Sequence, residues 1–376
     1  MKIIKSSTIS DCVENASICA SNYNGLNKSK CYVFCEDKIT LSLELEIAKK
    51  CGGGIFNVEV STFNRYILSK NANVNVLSKE SSVMAVRKII LNKQKELTCF
   101  SNLKYCPNLS VTVYELISQL ASAKVTPNDL SKLINEDEAR LGGALTNKLK
   151  DIALIYGEYL SYLKQRGFVD RNDYISLMPS LIENDNELDG ATVILVGFSS
   201  VTRQRYDVFK ALNNKASEVY AFIVAGEEGE FYTNETYNRL LEIEPNATVT
   251  NTYANLSNEL NALKKYLFNP LVFKSGYIGV KSDNVEVIEY PEIQREVEET
   301  AKNIVKQVKL NGKRYKNIAI MVGDLNSYKL QIAKTFSEYK IPYYIDKAGV
   351  LADHPICSYI TDFIDLTRKN LAVNET

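Results

Sequence analysis

The chain has 376 residues, which is too long for one ordinary hydrophobic core and predicts two or three domains. Lysine plus arginine and aspartate plus glutamate number 45 each, so no net positive field attracts nucleic acid and any DNA contact must come from a local groove. A hydrophobic fraction of 45% and a charged fraction of 24% are ordinary for globular proteins and exclude extended low-complexity disorder.

The eight cysteines and the single histidine, His354, show no spacing typical of a metal site. The cysteines form no CxxC pair and several lie in apolar runs, so we expect buried thiols in a reducing compartment. No apolar stretch approaches the roughly 20 residues that span a bilayer, and no apolar signal region follows the first residues. These features predict a cytoplasmic protein that does not enter a membrane.

Short apolar runs alternate with amphipathic helical stretches in the first and last thirds of the chain, which predicts α/β layers around a parallel sheet. The runs are rich in valine, isoleucine and aromatic residues and are apolar almost throughout, as expected for strands that are covered on both faces. The predicted strands are Cys31–Cys35, Phe56–Val60, Thr192–Val196, Glu218–Val224, Val285–Tyr290 and Asn317–Val322.

The middle of the chain, residues 81–184, has a helical pattern almost throughout. Apolar residues recur there at three- and four-residue spacing, and Thr126-Pro127 is a typical start for a further helix. Helices that interrupt a single α/β pattern indicate an insertion. We therefore expect residues 1–80 and 185–275 to form one discontinuous α/β domain around a helical domain.

A linker that contains Pro270, Gly276 and Gly279 marks a second domain boundary. Beyond it, residues 284–376 show a strand, a helix, a strand and a helix in succession. This order predicts the start of another parallel-sheet domain, and the chain ends before such a domain would be complete.

Segments along the chain match a known family in order and spacing. The turn Thr62-Phe63-Asn64-Arg65 is similar to the Thr-Phe-His strand-to-helix turn of the UvrD/Rep-like superfamily 1 helicases, with Asn64 in place of histidine. The sequence Glu36-Asp37-Lys38 ahead of a leucine-rich helix narrows the resemblance to the AddB/RexB-type component of bacterial helicase–nucleases. The resemblance implies tandem RecA-like, P-loop NTPase-like α/β domains with an all-helical insertion in the first.

ATP hydrolysis by such a fold requires a glycine-rich loop and a lysine that bind the phosphates. It also requires a serine or threonine hydroxyl and a carboxylate that hold magnesium. We expect the loop ahead of the helix that precedes Cys31. Residues 10–29 contain no GxxxxGK[ST] sequence, and Lys28-Ser29 has only Gly25 nearby. A functional phosphate loop is therefore not predicted.

Two further positions of the family's ATPase site have changed. Gly197 and Phe198 follow a predicted strand where the family carries Asp-Glu, and Gly323 lies where it carries an arginine that reaches the terminal phosphate. Neither glycine nor phenylalanine can ligate magnesium. Three separate losses predict a motor fold that does not hydrolyse ATP.

The resemblance implies a role in DNA double-strand-break end processing and recombinational repair, in which this chain guides DNA within a heterodimer with an ATP-driven A-type helicase–nuclease. The iron–sulfur cluster and the magnesium of the family belong to a carboxyl-terminal nuclease that nothing in this sequence matches, so we expect no cofactor in this chain. Two alternatives remain: an active P-loop NTPase or helicase with an unrecognised site, and a protein–protein docking module for the A-type partner.

The DNA-contacting candidates follow from the same resemblance. In the family the strand-to-helix turn contacts the single-strand backbone, and hydroxyl, amide and guanidinium groups all bind phosphate. Phe63 is predicted either to stack on a base or to pack beneath the turn, and the arginines after Phe198 either bind DNA or begin a solvated helix. The candidates are Thr62, Phe63, Asn64, Arg65, Arg203 and Arg205.

Overall fold

The computed structural model describes residues 1–25, 29–70, 74–101, 106, 108–226, 234–252, 257–267, 284–346 and 354–368. The chain divides into two compact units, Met1–Lys281 and Ser282–Thr376. The predicted linker at Pro270, Gly276 and Gly279 lies outside the described residues, as does Lys28.

The first unit is built on a six-stranded sheet in which every adjacent pair of strands is parallel. The strand order is β3-β2-β6-β7-β1-β8, and β4 pairs with β5 in a separate two-stranded sheet. The strands are β1 (Lys2–Ser6), β2 (Cys31–Cys35), β3 (Val58–Ser61), β4 (Asn75–Leu77), β5 (Phe168–Asp170), β6 (Thr192–Val196), β7 (Glu218–Val224) and β8 (Thr248–Thr252).

The helices of the first unit lie on both faces of the sheet and in the insertion. They are α1 (Ile9–Ser21), α2 (Thr40–Lys50), α3 (Phe63–Lys70), α4 (Lys79–Asn92), α5 (Leu109–Ser122), α6 (Pro127–Leu141), α7 (Gly143–Arg166), α8 (Met178–Asn184), α9 (Arg203–Lys215), α10 (Glu235–Ile243) and α11 (Asn258–Tyr266).

The central strands β2 and β6 are buried at every residue, because helices cover both faces of the sheet. Alternate residues of β2 belong to two different cores: Phe34 packs with α3, α8 and α9, and Val33 packs with α1 and α2. This three-layer α/β arrangement confirms the predicted α/β fold class for the first unit. The predicted strands at β2, β6 and β7 are confirmed, and the strand predicted at Phe56–Val60 begins two residues later.

The helical insertion has a hydrophobic core of its own, formed mainly by α4, α5 and α7. α6 begins as the sequence predicts, because the Thr126 hydroxyl accepts a hydrogen bond from the Asp129 N–H and the Asp129 carboxylate accepts one from the Thr126 N–H. β4 precedes the insertion and β5 follows α7. Their pairing therefore joins the two chain segments that lead into and out of it.

The second unit contains α12 (Ile293–Asn311), α13 (Leu325–Glu338) and α14 (Pro355–Arg368), with a small core between α12 and α13. The strands predicted at Val285–Tyr290 and Asn317–Val322 are wrong for the described residues, which have no regular strand there. A parallel strand forms only against neighbours that complete its hydrogen bonds. Val287 and Met321 are each 96% exposed, so these apolar segments lie unpaired.

Among the described residues, no helix is both long enough and apolar enough to cross a membrane.

Candidate functional site at the carboxyl edge of the sheet

The carboxyl ends of parallel strands meet at one edge of a sheet, where open α/β folds bind their ligands. In the first unit a cleft of about 260 Å³ lies at this edge, next to the ends of β2, β3 and β6. Acidic and basic side chains both line it, together with the turns after the strands. The lining includes Glu36, Asp37, Lys38, Asn64, Phe198 and Arg205.

The first turn of α3, directly after β3, presents two exposed polar side chains. Thr62 is 5% exposed, and its hydroxyl accepts a hydrogen bond from the Arg65 N–H at 3.3 Å, which caps the helix. Asn64 and Arg65 point outward, and Arg65 Nη1 lies 3.3 Å from Glu44 Oε1 on α2. The Thr62 hydroxyl therefore shapes the turn, while Asn64 and Arg65 remain accessible to a ligand.

Phe63 lies in an aromatic cluster beneath the turn. It is 5% exposed, its ring stacks on Phe198 with centroids 5.2 Å apart, and Phe34 and Phe209 lie 5.5 Å and 6.1 Å away. A ring covered in this way offers no free face to a base. Of the two predicted roles of Phe63, the structure shows packing beneath the turn.

The first turn of α9 carries both arginine candidates. Arg205 Nη1 donates to Glu36 Oε1 at 2.9 Å and to the Ser200 carbonyl at 3.0 Å, and its guanidinium lies 5.5 Å from the Phe198 ring centroid. Arg203 is exposed and lies 5.1 Å from the Tyr206 ring centroid. The structure thus places Arg205 in the same cleft as Asn64 and leaves Arg203 beside it.

The turn between β1 and α1 occupies the place of a phosphate loop, since such a loop joins a strand directly to the amino end of a helix. Only Ser7 and Thr8 separate β1 from α1. The Thr8 hydroxyl accepts a hydrogen bond from the Asp11 N–H at 3.1 Å, and the Thr8 N–H donates to the Asp11 carboxylate at 3.1 Å. This turn lies ahead of the helix that precedes Cys31, and residues 10–29 begin only after it, because the apolar pattern does not identify the strand β1.

Gly197 lies directly after β6 in a left-handed conformation with φ of +72°. A Cβ atom added there would meet Ile9 Cδ1 at 2.6 Å and Ile39 Cδ1 at 2.8 Å. The side chains of Ile9, at the start of α1, and Ile39 therefore cover Gly197, where the resemblance implies that an ATPase carries its metal-binding carboxylate. No sequence motif identifies either isoleucine, and only the strand order of the sheet brings them to this position.

Gly323 lies in the second unit, in the bend before α13, and a Cβ atom added to it would meet no atom within 4 Å. It is exposed.

Charges around the cleft nearly cancel, because Glu36 and Asp37 face Lys38 and Arg205. Burial raises the pKa of the Cys35 thiol at the end of β2, although a hydrogen bond with Thr40 opposes the shift. The thiol is therefore protonated near neutral pH. Among the described residues, no group of three or more His, Cys, Asp or Glu side chains is arranged to hold a metal ion.

The chain matches the family described as "ADDB, N-terminal" over residues 16–268, which is more than half of its length. The B subunit of the ATP-dependent helicase/deoxyribonuclease of Clostridium novyi is 28% identical over 358 residues, which cover 89% of this chain and 31% of that protein. The protein of the same name from Alkaliphilus metalliredigens is 26% identical over 366 residues, covering 91% and 31%. That from Clostridium acetobutylicum is 29% identical over 279 residues, covering 69% and 23%.

The chain thus spans about a third or less of the length of these curated relatives. Its first unit has the parallel sheet and the helical insertion that the resemblance predicts, and the family match covers most of that unit. The chain belongs to the ADDB N-terminal family.

Proposed function

We propose that this chain is the DNA-guiding, non-hydrolysing part of the B component of a helicase–deoxyribonuclease. The observation that carries the proposal is the apolar closure of the would-be nucleotide site. Ile9 and Ile39 lie against Gly197, and β1 joins α1 through only two residues.

Hydrolysis of ATP requires backbone amides and a lysine around the phosphates, and a carboxylate that holds magnesium. A two-residue connection cannot surround a phosphate chain, and Thr8 and Asp11 already satisfy N–H groups that would bind one. A carboxylate at position 197 would collide with two isoleucines. The packing as well as the sequence therefore supports a loss of nucleotide chemistry.

The exposed groups at the sheet edge support DNA guidance. Asn64 and Arg65 project from the first turn of α3, and the Arg65–Glu44 ion pair is exposed on both sides. Such surface pairs contribute only about 0–1 kcal/mol, so a phosphate can displace Glu44 at little cost. Arg205 is held by Glu36 and is three-quarters buried, which suits it to orient the cleft more than to bind a strand.

The relatives are named as one lettered subunit of a helicase/deoxyribonuclease, which supports a partner for this chain. We propose that the partner is the A-type helicase–nuclease, which supplies ATP-driven movement. Within that heterodimer the chain acts in DNA double-strand-break end processing and recombinational repair in the cytoplasm. Any magnesium-dependent nuclease and its iron–sulfur cluster are assigned to parts of the relatives that this chain does not match.

Two measurements on the full 376-residue chain test the proposal. Fluorescence anisotropy of a labelled oligothymidine at low salt should show binding that weakens markedly in Arg65→Glu, whereas Arg239→Glu, on α10, should bind like the wild type. Phosphate release from ATP with added oligonucleotide should stay at background. Turnover that survives purification would refute the loss of hydrolysis, and undetectable binding would refute DNA guidance.

A further inference from the structure

A pocket of about 860 Å³ lies where the helical insertion meets the first turn of α9. It shares no lining residue with the cleft at the ends of β2, β3 and β6. Its volume falls in the range of small-ligand sites, and hydroxyl, amide and cationic groups converge on it. The residues that matter are Ser118, Ser122, Lys124, Asn172, Thr202 and Arg203.

Hydrogen bonds fix the walls of this pocket in place. The Asn172 side-chain amide donates to the Tyr114 hydroxyl at 3.0 Å and to Ser118 Oγ at 2.8 Å, which ties the turn after β5 to α5. Gln204, which is only 3% exposed, donates to Asp173 Oδ1 at 3.0 Å and ties α9 to the same turn. The pocket is therefore preformed, which lowers the entropic cost of binding a ligand.

One uncompensated cation faces the pocket. Lys124 forms an ion pair with Asp207. Arg203 lies over the Tyr206 ring, and no ion pair involves it among the residues that the structure describes. A cation in the first turn of a helix also lies against the positive end of the helix dipole, where an anion is favoured. This combination attracts an anionic group to the mouth of the pocket.

We infer that this pocket binds a phosphate group of single-stranded DNA, in contact with the Arg203 guanidinium, while Ser118, Ser122 and Asn172 face the adjoining sugar or base. The inference rests on the proposed DNA-guiding function and extends the strand's path from the β3–α3 turn to the helical insertion. Guanidinium groups bind phosphate oxygens through paired hydrogen bonds. The Ser118 and Ser122 hydroxyls and the Asn172 amide donate within the protein, so their oxygens are offered as acceptors to base N–H groups. Free inorganic phosphate shares the same chemistry and must be separated from DNA by experiment.

The first test compares Arg203→Gln with Lys210→Gln in the full chain. Lys210 is exposed on the same helix about two turns away, so its variant removes an equal charge outside the pocket. Anisotropy with a labelled oligothymidine is measured at several potassium chloride concentrations. Arg203→Gln should weaken binding about tenfold at low salt, as the loss of a charge-assisted contact implies. It should also lower the slope of log K against log salt by about 0.7. Lys210→Gln should change neither.

A second variant, Ser122→Leu, fills the pocket and keeps every charge. It should also weaken oligothymidine binding. If the wild type binds and both pocket variants match it, the inference is overturned and the proposed function stands; if the wild type does not bind, both fail. Inorganic phosphate is titrated as a competitor at constant ionic strength. Phosphate binding that depends on Arg203, with unchanged oligothymidine affinity, would assign a free-anion site and overturn the DNA assignment.

Discussion

Gly197→Ala tests the apolar closure of the sheet edge directly. A left-handed backbone costs a residue with a Cβ atom about 1–2 kcal/mol. The added methyl group would also meet Ile9 Cδ1 at 2.6 Å and Ile39 Cδ1 at 2.8 Å, and such overpacking costs about 1–3 kcal/mol. Because the Ile9 side chain is 40% exposed and can move aside, we expect a total loss of about 2–4 kcal/mol in the free energy of unfolding.

Gly190→Ala is the matched control, since Gly190 has a φ of +75° and open space around its missing Cβ atom. Urea unfolding followed by far-ultraviolet circular dichroism should show a loss of only about 1–2 kcal/mol for this variant, with an unchanged slope. Adding Ile9→Ala should recover part of the loss at position 197 and none at position 190. Equal losses in the two single variants would show that Ile9 and Ile39 do not close this edge.

Three further outcomes follow from buried or paired groups. The buried Asp151 carboxylate accepts hydrogen bonds from the three backbone N–H groups of residues 98–100. Asp151→Ala should therefore lower the free energy of unfolding, measured in urea melts, by about 3 kcal/mol. A loss below about 1 kcal/mol would contradict this. Burial raises the pKa of the Cys12 thiol to about 11, whereas Cys106 is exposed. Ellman's reagent at about pH 8 should therefore modify Cys106 at once and Cys12 only on unfolding. Similar rates of modification at the two cysteines in the folded protein would refute this. Hydrogen bonds from two lysines and a tyrosine lower the pKa of Glu187 from 4.5 to about 2, so its stabilisation is present above about pH 4.5 and is lost as the pH falls toward 2. Because this side chain is half exposed, the effect should be below about 1 kcal/mol, and Glu187→Gln should flatten the acid limb of the stability profile between those values.

The sequence predicts those strands whose neighbours cover both faces. β2 and β6 are apolar at nearly every residue and are buried throughout, so their composition alone identifies them. β1 has lysines on both sides of a short isoleucine pair, and β8 is exposed along most of its length, so neither shows that pattern. The strands predicted in the second unit have the right composition, but strand formation also requires a neighbour that composition cannot supply.

The candidate site is predictable only in part, for a related reason. Local sequence places Asn64 and Arg65 at the start of a helix after a strand, and both side chains are exposed there. It does not reveal that Phe63 stacks on Phe198, which lies far along the chain and meets it only because β3 and β6 both flank β2. The pairing of Arg205 with Glu36 depends on the same strand order. Contacts across the sheet edge are set by topology, which motif spacing does not contain.

The proposed loss of nucleotide chemistry involves structural changes that depend on one another. The short β1–α1 turn brings the first residue of α1 close to the end of β6, where Ile9 packs on Gly197. A carboxylate at position 197 would be tolerated only after both Ile9 and Ile39 are displaced, and a longer β1–α1 loop would move only Ile9. Restoring either feature alone therefore costs stability without creating a magnesium site. A stepwise return to hydrolysis would pass through destabilised intermediates, which gives a physical reason for the proposed loss to persist.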